Sequence, residues 1–215
     1  MNADGSGRAA WEAGPRAIPA NPFASRYTQP GAVPPLDDLG RPLALGPLLD
    51  RVRTGASVIE GPHGRGKTTL VRALLAAATA AGRPTAFIQV RSWADSRRAV
   101  AAVAAARQGQ IIAVDGWEQL CWGCGFVITA LARARGAGVI ATAHRPSGLP
   151  VLARCGSSPA IVAAIVERLP DHGGAIESAD IEAAFRRHDG NVRDALAALY
   201  DHFEERRASR AGVDT

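Results

Sequence analysis

Lysine is almost missing from this 215-residue chain: of its 25 lysine and arginine residues, Lys67 is the one lysine. A composition that uses arginine everywhere else marks position 67 as a place where arginine does not serve. Long apolar runs are missing too. Nothing approaches the ~18 consecutive apolar residues of a membrane span, so none is expected. Residues 1–20 are rich in glycine, alanine and polar residues and have no apolar stretch, so they read as a disordered tail, not a signal peptide. Cysteine is scarce. Cys121, Cys124 and Cys155 are an odd number in a chain this long, which predicts a reducing, cytoplasmic setting. Zinc-finger spacing, an aromatic RNA-binding signature and internal repeats are all absent from the sequence.

Lys67 closes Gly61-Pro62-His63-Gly64-Arg65-Gly66-Lys67-Thr68, which reads G-x-x-x-x-G-K-T, the phosphate-cradling P-loop or Walker A motif. A compact ammonium fits between two phosphates, where a planar guanidinium is too wide. Residues 56–60 are a short β-prone run ending at the first glycine, and residues 68–78 are strong helix formers. Strand, loop and helix in this order aim backbone N–H groups and a helix N-terminus at one anion. Gly61, Pro62, His63, Gly64, Arg65, Gly66, Lys67, Thr68 and Thr69 are therefore the candidate nucleotide-binding residues. ATP and Mg²⁺ are the expected ligands.

The rest of the chain alternates. Strands are expected at 85–90, 111–115 and 139–143, with a short fifth at 151–153. Helices are expected at 43–52, 96–108 and 118–135. This predicts an α/β fold, a parallel-sheet P-loop NTPase core with helices on both faces. After residue 157 the strands stop, and three helices are expected, from Ser158-Pro159 to about Arg168, over 178–187 and from Asn191 to about Arg207. The organisation read from this is a tail over 1–20, a core with an extended N-terminal arm over 21–157, a helical lid over 158–207 and a polar tail over 208–215.

Ile111-Ile112-Ala113-Val114-Asp115 has the form of a Walker B strand, and Asp115 and Thr68 are the candidate metal ligands, oxygen donors as Mg²⁺ requires. Glu118 is the candidate general base or water-positioning group. Thr142 and His144, just past the fourth strand, are candidates for contact with the γ-phosphate or attacking water. Phe23 and Tyr27 either stack on adenine or hold the arm. Cys121-Trp122-Gly123-Cys124 has the spacing of a redox motif, but buried helix cysteines are the expectation.

The P-loop resembles that of AAA+ ATPases, in which an extra strand lies between the Walker A and Walker B strands. The resemblance implies a polar sensor after the fourth strand, matching Thr142 or His144. It also implies a lid arginine that reaches the γ-phosphate, and Gly190-Asn191-Val192-Arg193-Asp194 makes Arg193 that candidate. The chain departs from the family at Walker B, where Gly116 follows Asp115 and the acid is displaced to Glu118, as in signalling and transposition-helper relatives. The activity so implied is that of an ATPase, hydrolysing slowly or with a partner, whose nucleotide state switches or drives another protein. A homo-oligomer is a possible arrangement. A P-loop kinase of a small molecule is the alternative enzyme. A weakly hydrolysing regulator of a nucleic-acid-processing assembly is the third reading, supported by a net charge of +5 and a pI near 9.8.

Overall fold

The computed structural model describes residues 21–52, 54–170 and 174–211. Its strands are β1 (Gly55–Glu60), β2 (Thr85–Gln89), β3 (Ile111–Asp115), β4 (Gly138–Ala143) and β5 (Val151–Arg154). Its helices are α1 (Ser25–Thr28), α2 (Gly46–Asp50), α3 (Lys67–Ala80), α4 (Ser96–Ala104), α5 (Cys124–Ala134), α6 (Pro159–Val166), α7 (Ser178–Arg187) and α8 (Val192–Ala211). Single 3-10 turns at Trp93–Asp95 and Trp117–Gln119 precede α4 and α5.

All five strands run parallel, in the spatial order β2-β3-β4-β1-β5. The chain thus forms an α/β fold with a five-stranded parallel sheet and flanking helices, consistent with a P-loop NTPase core. β4 lies between β1 and β3. The strands are apolar on both sides because both sides are covered. Ile111, Ala113 and Ile140 pack with Leu70, Val71, Leu74 and Ala78 of α3. Their neighbours Ile112, Val114 and Val139 point the other way, onto Ala99 and Val103 of α4 and Ile128 and Ala132 of α5.

A separate apolar cluster joins α6, α7 and α8 through Val162, Val166, Ile181, Ala195, Leu199 and Phe203. Phe23 belongs to this cluster, its ring 6.3 Å from that of Phe203. The buried Asn21 amide donates to the Tyr200 carbonyl at 3.1 Å and to Glu204 Oε1 at 2.8 Å. The arm is therefore fastened to α8, with Phe23 packed into that cluster. Farther along, the Asp38 carbonyl accepts from Ser158 Oγ at 2.6 Å, so the arm also holds the start of α6.

Several boundaries differ from expectation for local reasons. The arm is not wholly extended, since Ser25–Thr28 makes one helical turn. The 43–52 helix shrinks to Gly46–Asp50, with Pro47 in its first turn. The 96–108 helix ends at Ala104. The 118–135 helix begins only at Cys124, because left-handed Gly116 and Gly123 bracket a 3-10 turn. The last helix runs to Ala211, past the expected end, and Ser209 Oγ donates back to the Glu205 carbonyl at 3.0 Å. The tail expected over 1–20 lies outside the described residues, as do 212–215. Among the described residues no helix is long and apolar enough to cross a membrane.

Candidate functional site

A parallel sheet brings all its strand C-termini to one edge, and the loops there share a crevice. Here β1 delivers the P-loop, β3 delivers Asp115, and β4 delivers Thr142 and then His144. Asp115 stands opposite Thr142 in the β3–β4 register. Thr142 Oγ1 donates to Asp115 Oδ1 at 2.6 Å and accepts from the Gly116 N–H at 3.0 Å. Thr68 Oγ1, from the first turn of α3, donates to Asp115 Oδ2 at 3.1 Å. Two hydroxyls thus orient one carboxylate, and Thr142 is buried and committed to that task.

Lys67 is buried, and its ammonium donates to the carbonyls of Gly61 at 2.6 Å and Pro62 at 2.7 Å. Its third contact is His144 Nδ1 at 2.9 Å. An ammonium has three N–H groups, so all three are satisfied. Nδ1 must then be the acceptor, which leaves the proton on Nε2. Nε2 faces Glu118 Oε1 at 2.9 Å. Lys67, His144 and Glu118 therefore form one hydrogen-bonded chain. His63 stacks on His144, ring centroids 3.4 Å apart.

Glu118 reaches this position from the 3-10 turn. Gly116 adopts φ +99°, and a side chain there would run into the Val90 carbonyl. The chain turns sharply at this glycine. Trp117 then packs beside Gly125, where a Cβ would come within 2.9 Å of the indole. The next residue, Glu118, is left pointing at the crevice. Its position reflects this loop geometry and not a helix start.

The crevice opens into a cavity of about 1060 Å³. His63, Gly64, Arg65, Gly66, Lys67, Thr68 and Thr69 line it, as do Asp115, Glu118, Thr142 and His144. Arg193, at the start of α8, lines it from the lid. Gly61 and Pro62 contribute their carbonyls to Lys67. The other wall is apolar and includes Val33 and Leu36 of the arm, Ile161 and Ile165 of α6, and Leu196 of α8.

Burial holds the Lys67 pKa below the ordinary lysine value, against the opposing pull of Cys155, Glu118 and Asp115, and the nearby Arg193 charge lowers it further. Burial also lowers His144, reinforced by Lys67 and opposed by Glu118. Both effects favour the neutral imidazole that the hydrogen bonds require. Burial pushes the Cys155 thiol up to about 11, so it stays protonated at neutral pH.

Sequence patterns did not reveal the lid's grip on the P-loop. Gly64 takes φ +69°, and a methyl there would overlap the Asn191 carboxamide. Asn191 Oδ1 meanwhile accepts from the Arg193 N–H at 3.1 Å, capping α8 as its spacing to Asp194 suggested. Arg65 donates to the Asp189 carbonyl at 3.1 Å. Glu60, buried at the end of β1, pairs with Arg154 of β5 at 3.5 Å. Apart from the local Asn191 cap, these contacts join residues more than 90 positions apart, which is why no local pattern signals them. Cys121 and Cys124 are half-exposed and joined in a disulfide, not buried in a helix as expected.

Neither a protein-family model nor a curated protein matches the sequence. Among solved structures, a RuvB variant from Thermotoga maritima is similar to this chain at 18% identity and a TM-score of 0.49. The similarity covers 72% of this chain and 56% of that one.

Proposed function

We propose that this chain is a Mg²⁺-dependent ATP-binding protein, an AAA-like ATPase whose nucleotide state moves the helical lid and thereby switches a partner. The carrying observation is that Lys67, Thr68, Asp115, Glu118 and His144 from the core, and Arg193 from the lid, all face one cavity. Lys67 and Arg193 are close enough to repel across it. A polyanion between them removes that repulsion. The position of β4 between β1 and β3 supports the AAA-like branch.

The residues present fit the expected ligands. Thr68 Oγ1 and Asp115 are oxygen donors 3.1 Å apart at the mouth of a glycine loop, a donor set suited to Mg²⁺. Bound Mg²⁺ neutralises phosphate charge. The apolar wall of arm and lid suits a base. Lys67 already makes its three bonds, so taking a phosphate means giving one up. His144 is the side-chain partner and the easiest to release. Lys67 turns to the phosphates, and the His144 Nδ1 it frees contacts them as a donor once the ring takes up a proton. Glu118 accepts from His144 Nε2 and is placed to orient or deprotonate water. Thr142 holds Asp115, so His144 is the better sensor of the pair.

A regulator that hydrolyses very slowly is the second reading, and one observation favours it: Glu118 is hydrogen-bonded to His144 and not free to act on water. A kinase reading needs an acceptor-binding module, and residues 91–108 hold only a 3-10 turn and the nine-residue α4. A homo-oligomer, a protein partner and a nucleic acid are all compatible with this proposal. Titration calorimetry with ATP, with and without Mg²⁺, tests it together with phosphate release. Binding that is tight and metal-dependent is expected. A protein that takes up neither ATP nor ADP has some other function.

A further inference from the structure

The Cys121-Trp122-Gly123-Cys124 segment lies outside the nucleotide cavity and has no role in the proposed reaction. We propose that Cys121 and Cys124 are a thiol–disulfide exchange site whose co-reactant is a thiol of the glutathione class. The two cysteines are joined in a disulfide and line a second cavity of about 520 Å³ at the N-terminal ends of α4 and α5. Trp93, Arg97 and Val100 form its opposite wall. The bond therefore borders an open, largely apolar cavity that an attacking thiolate can enter. Trp122, between the two cysteines, is fully exposed.

Three further observations separate this pair from a structural disulfide. Closing a loop of four residues constrains the unfolded chain little. The segment is also anchored without the bond: the Cys121 N–H donates to Ser96 Oγ at 2.9 Å, and Ser96 is buried. And Cys124 is the first residue of α5, an eleven-residue helix. Free N–H groups at a helix N-terminus stabilise a thiolate there. Among the described residues no group of three His, Cys, Asp or Glu side chains is placed to hold a metal.

The exchange runs as follows. A glutathione thiolate attacks Cys121 Sγ. The Cys121–Cys124 bond breaks, a mixed disulfide forms on Cys121, and Cys124 leaves as a thiolate at the α5 N-terminus. A second glutathione thiolate attacks the glutathione sulfur of the mixed disulfide and releases the Cys121 thiolate. Two glutathiones become one glutathione disulfide, and their two protons end on Cys121 and Cys124. The reverse sequence restores the bond.

The experiment uses the full chain, native and without nucleotide, so its outcome is independent of the ATPase proposal. Oxidised and reduced samples are equilibrated in graded mixtures of glutathione and glutathione disulfide, then alkylated and read by mass spectrometry. Both starting states are expected to converge on the same dithiol fraction at each ratio. Cys155, buried and protonated, should stay unmodified. In Cys124→Ser, which cannot close the intramolecular bond, Cys121 should accumulate a glutathione mixed disulfide in the mixtures rich in glutathione disulfide. In Cys121→Ser, Cys124 should alkylate at pH 7 at least ~10-fold faster than Cys155. A bond that stays oxidised at the most reducing ratio, thiols that never re-form it, or cysteines no more reactive than Cys155 would each overturn the proposal.

Discussion

Lys67 is held from three sides. Two loop carbonyls and His144 surround its ammonium at 2.6 to 2.9 Å. A guanidinium does not fit that cage. Lys67→Ala is expected to weaken ATP binding by at least the ~1.5–3 kcal/mol of one charge-assisted hydrogen bond. Lys67→Arg should do nearly as badly in the same titration, and an arginine variant that binds like wild type would refute this account of the cage. The proposed function gives Glu118 a role toward water, not toward the nucleotide. Glu118→Gln should leave ATP affinity near wild type and cut turnover by ~10²–10⁴. If measurable turnover survives that change intact, the acid merely holds His144. The His144 contacts also make the site sensitive to acid. Burial and Lys67 hold the folded His144 pKa below its ordinary 6.5. The unfolded chain therefore takes up the proton first as pH falls. Stability from the neutral His144 is complete above about 6.5 and is lost on acidification through the lowered folded value. His144→Gln should flatten that limb of a thermal-denaturation series against pH, and an unchanged limb would place the titration elsewhere.

At the scale of elements, the start of α8 is the segment on which the switch proposal rests. It touches the P-loop through Asn191 at Gly64 and through the Arg65 bond to the Asp189 carbonyl. It also sets Arg193 toward Lys67 across the cavity. A ligand that bridges the two cations should tighten α8 onto the loop. Hydrogen exchange over α6 to α8 is expected to be slower with ATP than with ADP, and Arg193→Ala should erase the difference. No difference in the unaltered protein would remove the lid as a switch. Gly64→Ala tests the same seam from the other side. The new methyl must displace Asn191, and a non-glycine residue at φ +69° costs about 1–2 kcal/mol besides. A melting temperature equal to wild type would show that Asn191 moves aside freely.

Across the whole molecule, the arm ties the lid to the rest of the chain. Phe23 sits in the lid cluster and Asn21 bonds to α8, while Ser158 holds Asp38. The arm and the C-terminal helices together supply the apolar wall of the cavity, so any shift of those helices would reshape that wall. Phe23→Ala leaves a hole beside Phe203 and is expected to cost ~3–5 kcal/mol in denaturant unfolding. A cost below ~1 kcal/mol would mean that the ring is not part of that core.

Much of the fold was legible in the sequence because the signals are local. Residues 111–115 read as a buried strand from four apolar residues in a row, and those bounds match the structure. Residues 178–187 likewise match α7. The glycine spacing and the solitary lysine pointed to a strand, a loop and a helix in this order, and β1 and α3 flank that loop. What the sequence misplaced were boundaries where one glycine outweighs helix propensity. Gly123 delays α5 to Cys124, and Gly116 sets Glu118 in a separate 3-10 turn ahead of it. Tertiary structure alone decided which partners meet. It set Asp115 opposite Thr142 and committed that hydroxyl to it, linked Lys67 to Glu118 through His144, and buried Phe23 in the lid. Such pairings join residues dozens of positions apart. They follow from strand order and helix packing, whereas a motif records only neighbours along the chain.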